Sequence, residues 1–213
     1  MSISVVIADD QAMVRTGFRL ILESVAGFEV AGEAANGDEA VELVRRVRPD
    51  VVLMDIRMPG IDGLRATEIL TQENPDLRVV ILTTYGTEKN LFAALGAGAV
   101  GFLLKDSSPR LLVAAVQNAV DGTAMLSAAV AVPLIRHFSS TSRPTRALEE
   151  PLTPKETDVV RAVAEGRTNV EISERLGIST SAVKARLCEA QRKLGTRNRT
   201  EVAIWAWQNR LVA

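Results

Sequence analysis

The sequence predicts an α/β domain, a doubly wound five-stranded parallel sheet in the order 2-1-3-4-5, followed by an all-α domain of four helices built around a helix-turn-helix. Three observations predict it. Before residue 125, short apolar runs alternate five times with stretches of helical spacing, the pattern of successive βαβ units. Ser139–Pro151, reading SSTSRPTRALEEP, has almost nothing to bury and separates two halves. The halves differ in charge: residues 1–125 hold 11 Lys+Arg against 17 Asp+Glu, a net −6, and residues 126–213 hold 14 against 9, a net +5. The expected organisation is an acidic domain over 1–125, a linker over 126–150 and a basic domain over 151–213, the last suited to nucleic acid.

Ile3–Ala8 is an apolar strand that runs into Asp9-Asp10. Gln11–Val25 has helical spacing through Val14, Phe18, Ile21 and Leu22, and Gly27 stands just past its end. Phe28–Ala31 is the second strand, and Asp38–Val47 a helix between the Asn36-Gly37 turn and Pro49. Val51–Met54 is apolar throughout, as a strand covered on both faces must be, and Asp55 follows it at once. The turn residues Met58-Pro59-Gly60 and Asp62-Gly63 lead to a helix near Leu64–Gln72. Leu77–Leu82, Glu88–Leu95, Ala99–Leu103 and Pro109–Val120 complete the alternation, with Thr83 after the fourth strand and Lys105 after the fifth. Gly96, Gly98 and Gly101 lack the P-loop pattern and mark a tight turn into that last strand.

Ser127–Phe138 has apolar spacing that allows a helix in the linker, with Pro133 bending it; His137, the one histidine, has a surface or packing role there. Beyond residue 151 the chain is written in capping boxes. Thr153-Pro154-Lys155-Glu156 opens one helix, closed by Gly166, and Thr168-Asn169-Val170-Glu171 opens the next, closed by Gly177. Ile178-Ser179 turns into a third helix near Thr180–Leu194, and a fourth starts at Asn198–Glu201. The middle two form the helix-turn-helix, whose second helix enters a major groove. Val183, Leu187, Ala190 and Leu194 share its core face, while Ser181, Lys184, Ala185 and Cys188 point outward. Lys184, Arg186, Arg192, Lys193, Arg197 and Arg199 stand near one acid, Glu189, the charge pattern of phosphate contacts on double-stranded DNA.

Cys188 is the single cysteine, so no disulfide forms within the chain and a reducing compartment is expected. Asp9 and Asp10 interrupt the first apolar run, so no secretory signal is visible and none is expected. The longest uncharged apolar stretch, Leu91–Leu104, is shorter than the roughly 20 residues of a membrane span. A cytoplasmic protein with no membrane contact is expected.

In the order 2-1-3-4-5 ligands bind at the C-terminal strand ends, where the order reverses. Asp9, Asp10, Asp55, Thr83 and Lys105 all fall there. Three clustered carboxylates repel one another unless a cation sits among them, and hard oxygen ligands with open positions suit Mg2+. With metal bound, one carboxylate can attack a phosphoryl group. The metal, the Lys105 ammonium and the Thr83 hydroxyl would then hold the phosphoryl oxygens. A flavin-binding domain shares the topology, but this anionic rim repels a bare phosphate. An aspartyl phosphatase places a second Asp two residues on, where this chain has Arg57.

Asp9-Asp10, DIRMPGIDG, LTT at 82–84 and GFLLK at 101–105 together resemble the receiver domain of two-component response regulators, over about residues 3–122. The resemblance implies a flavodoxin-like fold with Asp55 as phosphoacceptor. It implies that Asp9, Asp10, Asp55 and the Arg57 backbone carbonyl hold Mg2+, that Thr83 and Lys105 sense the phosphoryl group, and that Phe102 is the switch aromatic. Arg57 and Tyr85 occupy positions tied to phosphoryl lifetime. LTPKE, GRTNVEISERLGISTSAVK and KLGTRNRTE resemble the LuxR-type DNA-binding domain of the NarL/FixJ family, over about 151–213. By that resemblance Lys184 contacts DNA, Ser181, Ala185 and Cys188 lie near base edges, and Arg186, standing where His is usual, meets a phosphate as Arg192 does. Thr180, Ala182, Ala190 and Gln191 depart from the usual pattern. The expected protein is a transcriptional response regulator, not a turnover enzyme, whose only chemistry is self-phosphorylation from a phosphodonor and slow autodephosphorylation. A partner histidine kinase phosphorylates Asp55, and phosphorylation promotes a homodimer on DNA. The competing expectation is a DNA-binding regulator whose receiver answers to partner contacts without phosphorylation.

Overall fold

The computed structural model describes residues 2–84, 87–122, 125–126, 150–209 and 211–212. The helix expected over Ser127–Phe138, His137 and Tyr85 lie outside these residues.

Strands β1 (Ile3–Ala8), β2 (Phe28–Ala34), β3 (Val51–Asp55), β4 (Arg78–Thr83) and β5 (Gly101–Leu104) form a parallel sheet. Helices α1 (Ala12–Glu23), α2 (Gly37–Val47), α3 (Gly63–Glu73), α4 (Glu88–Gly96) and α5 (Pro109–Asp121) cross over between them. The order is β2-β1-β3-β4-β5, with a two-residue strand β6 (Met125–Leu126) added beside β5. That sixth strand lies beyond the five expected. Its apolar pair continues the sheet edge, parallel to Gly101 and Phe102.

β2 is longer than the apolar run Phe28–Ala31 suggests. Its far end, Gly32–Ala34, is set by pairing with β1 as far as Ala8↔Ala34, after a register shift between Val5 and Val6. All five β3 residues are buried, because apolar clusters cover both sheet faces. Leu22, Leu53, Val80, Leu82, Leu103 and Val116 belong to one; Met54, Ile81, Leu91, Leu95 and Phe102 belong to the other.

The second domain has helices α6 (Pro154–Ala164), α7 (Asn169–Leu176), α8 (Thr180–Leu194) and α9 (Arg199–Gln208). Both expected capping boxes form: Thr153 with Glu156, and Thr168 with Glu171. Ser179 and Asn198 cap the last two helices. Each cap satisfies backbone donors that the helix start leaves free, for about 1 kcal/mol. Val159, Val160, Val163, Ile172, Val183, Ala190 and Val202 form the core. Among the described residues, no helix is long and apolar enough to cross a membrane.

Candidate metal centre and nucleic-acid interface

The parallel sheet points its C-terminal strand ends to one rim. β1 delivers Asp9 and Asp10, and β3 ends on Asp55. β4 ends on Thr83, whose carbonyl accepts the Lys105 N–H at 2.9 Å, so the residue after β5 stands beside it. One carboxylate oxygen each from Asp9, Asp10 and Asp55 lie within 4.8 Å of one another. Asp9 and Asp55 are buried and Asp10 is exposed. Lys105 Nζ lies 2.7 Å from Asp9 Oδ2 and 2.9 Å from Asp55 Oδ2. The five rim residues expected from topology therefore converge.

Burial pushes the Asp55 carboxyl above the usual carboxylate range; the neighbouring Asp9 charge adds to this, and Lys105 and the Arg57 N–H only partly oppose it. Burial also works against the Lys105 ammonium, but its hydrogen bonds to Asp55 and Asp9 hold its pKa above the ordinary lysine value. Among the described residues the Lys105 ammonium pairs with two of the three carboxylates, which leaves the cluster net negative. The donor set is all oxygen, small in span and open on the Asp10 side, which fits Mg2+.

The floor of the pocket explains a glycine. The Gly63 N–H donates to the Ile56 carbonyl at 2.9 Å as α3 begins. A Cβ at Gly63 would sit 1.7 Å from the Asp55 carbonyl oxygen, so only glycine lets α3 start this close to the end of β3. Asp62 caps that helix by accepting the Arg65 N–H. Thr83 is buried, and Phe102 is buried in the cluster that holds Leu91 and Leu95 of α4.

On α8 the outward face holds Ser181, Lys184, Ala185 and Cys188, all exposed, as the helical spacing requires. Arg186 is half-buried, and Arg192 is exposed but pairs with Glu150 at 2.8 Å and Glu189 at 3.0 Å. Two of the six cations grouped by the sequence lie elsewhere. Lys193 is buried between Glu156, at 2.9 Å, and Glu150, at 3.2 Å, where it ties α8 to the first capping box. Arg199 is half-buried and donates to the Gly122 carbonyl at 3.0 Å, to Asn169 Oδ1 at 2.9 Å and to the Arg167 carbonyl. Desolvation lowers its pKa to about 10, which the Glu171 charge only partly opposes.

These contacts belong to a seam between the domains. Asn198 Nδ2 donates to the Leu95 and Ala99 carbonyls, at 3.0 and 3.2 Å, around the C-terminal end of α4. Asn169 Nδ2 donates to the Asp121 carbonyl at 2.9 Å, at the end of α5. Ile204 of α9 packs on the first domain's core. Beside the seam is a cleft of about 490 Å³, lined by Lys184, Leu187, Cys188 and Arg192 of α8 and by Glu68, Asp76 and Gly98 of the first domain. Lys184 and Cys188 of the outward face of α8 therefore look toward the first domain. Sequence reading missed Asn169 and Asn198 here, because each is accounted for locally as a helix start, and it placed Arg199 among the phosphate-contacting cations.

Fold and site define a class: a doubly wound α/β domain with an acidic pocket whose oxygens fit a divalent cation, joined to a helix-turn-helix domain. Residues 5–117 match the response regulator receiver domain family, and residues 150–206 match the luxR family of bacterial regulatory proteins. The nitrate/nitrite response regulator protein NarL of Escherichia coli (strain K12) is 33% identical over 208 residues, 98% of this chain and 96% of that protein. The transcriptional regulatory protein LiaR of Bacillus subtilis (strain 168) is 36% identical over 213 residues, 99% of each. Among solved structures, the response regulator ChrA of a heme-sensing two-component system matches at TM-score 0.55 and 36% identity, over 99% of both chains. An RcsB–DNA complex matches at TM-score 0.59 and 26% identity, over 98% of this chain and 99% of that one. The chain belongs to the response regulator family and is a transcriptional regulator with a receiver domain and a luxR-type DNA-binding domain.

Proposed function

We propose that the chain is switched by Mg2+-dependent phosphorylation of Asp55 from a partner histidine kinase, and that the switch controls its grip on double-stranded DNA. The observation that carries this reading is the convergence of Asp9, Asp10, Asp55 and Lys105 on one rim. Asp9, Asp10, Asp55 and the Arg57 carbonyl would hold the ion, whose chemistry is charge neutralisation of the carboxylates and phosphoryl oxygens. Asp55 attacks the phosphorus of a phosphohistidine: a carboxylate oxygen forms the new O–P bond, the P–N bond breaks and the imidazole leaves. Lys105, already at Asp55, transfers its donors to the phosphoryl oxygens, and the Thr83 hydroxyl supplies another. Water attack on the acyl phosphate later resets Asp55, so this is a timed switch and not multiple turnover on a substrate.

Drawing Thr83 and Lys105 toward the phosphoryl group vacates space that Phe102 enters and shifts α4. The Leu95 and Ala99 carbonyls, which Asn198 grips, lie where that shift ends. Opening the seam frees Ser181, Lys184, Ala185, Arg186, Cys188 and Arg192 for a major groove and its phosphates. Dimerisation on phosphorylation then sets two α8 helices on half-sites about one helical turn apart. The test is a gel shift with and without beryllofluoride plus Mg2+. Tighter DNA binding by the wild type and no response from Asp55→Asn support the reading; a response that survives Asp55→Asn sinks it.

A further inference from the structure

We infer that Arg15 is a positioning residue for the metal site, holding the Asp9–Asp10 peptide so that the Asp10 carboxylate faces Asp9 and Asp55. This rests on the Mg2+ reading above and adds a residue to it.

The two rim carboxylates of β1 are held in different ways. Three polar groups of Asp9 are hydrogen-bonded and the fourth, Oδ2, lies in an ion pair without a well-directed hydrogen bond. Its N–H donates to the Ala34 carbonyl at 3.0 Å, Oδ1 accepts the Gln11 N–H at 2.9 Å, and Oδ2 faces Lys105 at 2.7 Å. Its carbonyl accepts Arg15 Nη1 at 2.7 Å. Asp10 is exposed, and among the described residues its carboxylate makes no hydrogen bond or ion pair. The Asp10 carboxylate is therefore aimed by its backbone alone, and that backbone begins at the peptide whose oxygen Arg15 grips. A peptide plane pinned at its oxygen fixes the next N–Cα bond, which leaves φ as the one backbone torsion that turns the Cα–Cβ bond.

Arg15 is itself built to stay in place. Its Nε donates to Glu33 Oε2 at 3.0 Å, near the end of β2, and little of its side chain is exposed. Arg19, one turn on, donates to the other Glu33 oxygen at 2.7 Å. Burial works against the Glu33 charge, but these two guanidinium groups hold its pKa below the ordinary carboxylate value. Arg15 and Arg19 thus share one anchor and both fasten α1 to β2. Only Arg15 continues from the anchor to the rim, and that difference separates positioning from simple bolting of the fold.

The experiment titrates Mn2+ into the metal-free full-length chain, follows the free-ion electron paramagnetic resonance signal, and displaces the ion with Mg2+. Mn2+ takes the same oxygen ligands as Mg2+. Arg15→Ala should weaken both ions about tenfold or more, the usual effect of removing the support behind a metal ligand. Arg19→Ala, which loses the same carboxylate but not the Asp9 carbonyl, should stay within about twofold of wild type. If Arg15→Ala does not fold, Arg15→Lys serves: its point charge cannot hold Glu33 and the Asp9 carbonyl together, so it should lose several-fold. Wild-type affinity in the Arg15 variant that folds, or an equal loss in Arg19→Ala, overturns the inference and leaves the metal site standing. No displaceable ion in the wild type overturns the metal reading, and this inference with it.

Discussion

Lys105→Met removes the ammonium that pairs with Asp9 and Asp55 while keeping the length of the side chain. Its ammonium lies 2.7 Å from Asp9 and 2.9 Å from Asp55, with all three side chains at least nine-tenths buried. At an effective dielectric near 20, each contact has a gross attraction of about 6 kcal/mol. Desolvation of all three groups cancels much of that. The remaining loss is that of a buried charge left without its partner, about 3–5 kcal/mol. Asp55 limits the damage, because its pKa is already raised and it escapes by taking a proton. The lower end, about 3 kcal/mol, is therefore expected, which for a domain of this size lowers the melting temperature by about 10 °C. Excess Mg2+ brings a new cation to the same carboxylates and should recover most of the difference. Scanning calorimetry of the full chain at neutral pH, with and without Mg2+, measures both effects. If the variant melts within about 2 °C of wild type in metal-free buffer, or if Mg2+ restores nothing, the electrostatic reasoning is refuted.

Asp55→Asn should melt higher than wild type in metal-free buffer near neutrality. A raised folded pKa means that Asp55 favours folding below the ordinary carboxylate range and loses that contribution as pH rises through the raised value. The ionised group therefore opposes folding at neutral pH, and the advantage of Asn should shrink as pH falls; melts across a pH series check this, and a lower-melting variant contradicts it. Asn198→Ala removes two hydrogen bonds across the seam, about 1 kcal/mol each. Where the closed arrangement dominates, fluorescence anisotropy should show the unphosphorylated chain gaining up to about 30-fold in DNA affinity; unchanged affinity removes the seam from the switch. Lys184→Ala should weaken DNA binding across sequences and lower the slope of log affinity against log salt by about 1. An unchanged salt slope would place Lys184 away from phosphate.

The rim was legible because topology does the work. Any residue just after a strand of a doubly wound sheet arrives at one edge, so Asp9, Asp10, Asp55, Thr83 and Lys105 could be grouped without a single contact known. The helix starts at Thr153 and Thr168 were legible because a capping box is a local event, complete within four residues. Local patterns carried less elsewhere. The Gly32–Ala34 end of β2 has no apolar run of its own and exists because β1 pairs with it. Lys193 and Lys184 look alike in a charge pattern, but Glu150 and Glu156, distant in sequence, pair with Lys193 and fold its side chain back onto the domain. Asn169 and Asn198 show the same limit from the other side. A residue at a helix start needs no further explanation, so nothing in the sequence hints that its side-chain amide also reaches another domain.

Intact-mass analysis of the wild-type chain with a small phosphodonor and Mg2+, with DNA affinity measured on the same sample, tests the central claim most directly. One phosphoryl group should be gained, only with Mg2+ and not in Asp55→Asn, and DNA affinity should rise with the phosphorylated fraction. A chain that never gains the phosphoryl mass, or gains it with no change in DNA binding, contradicts the account.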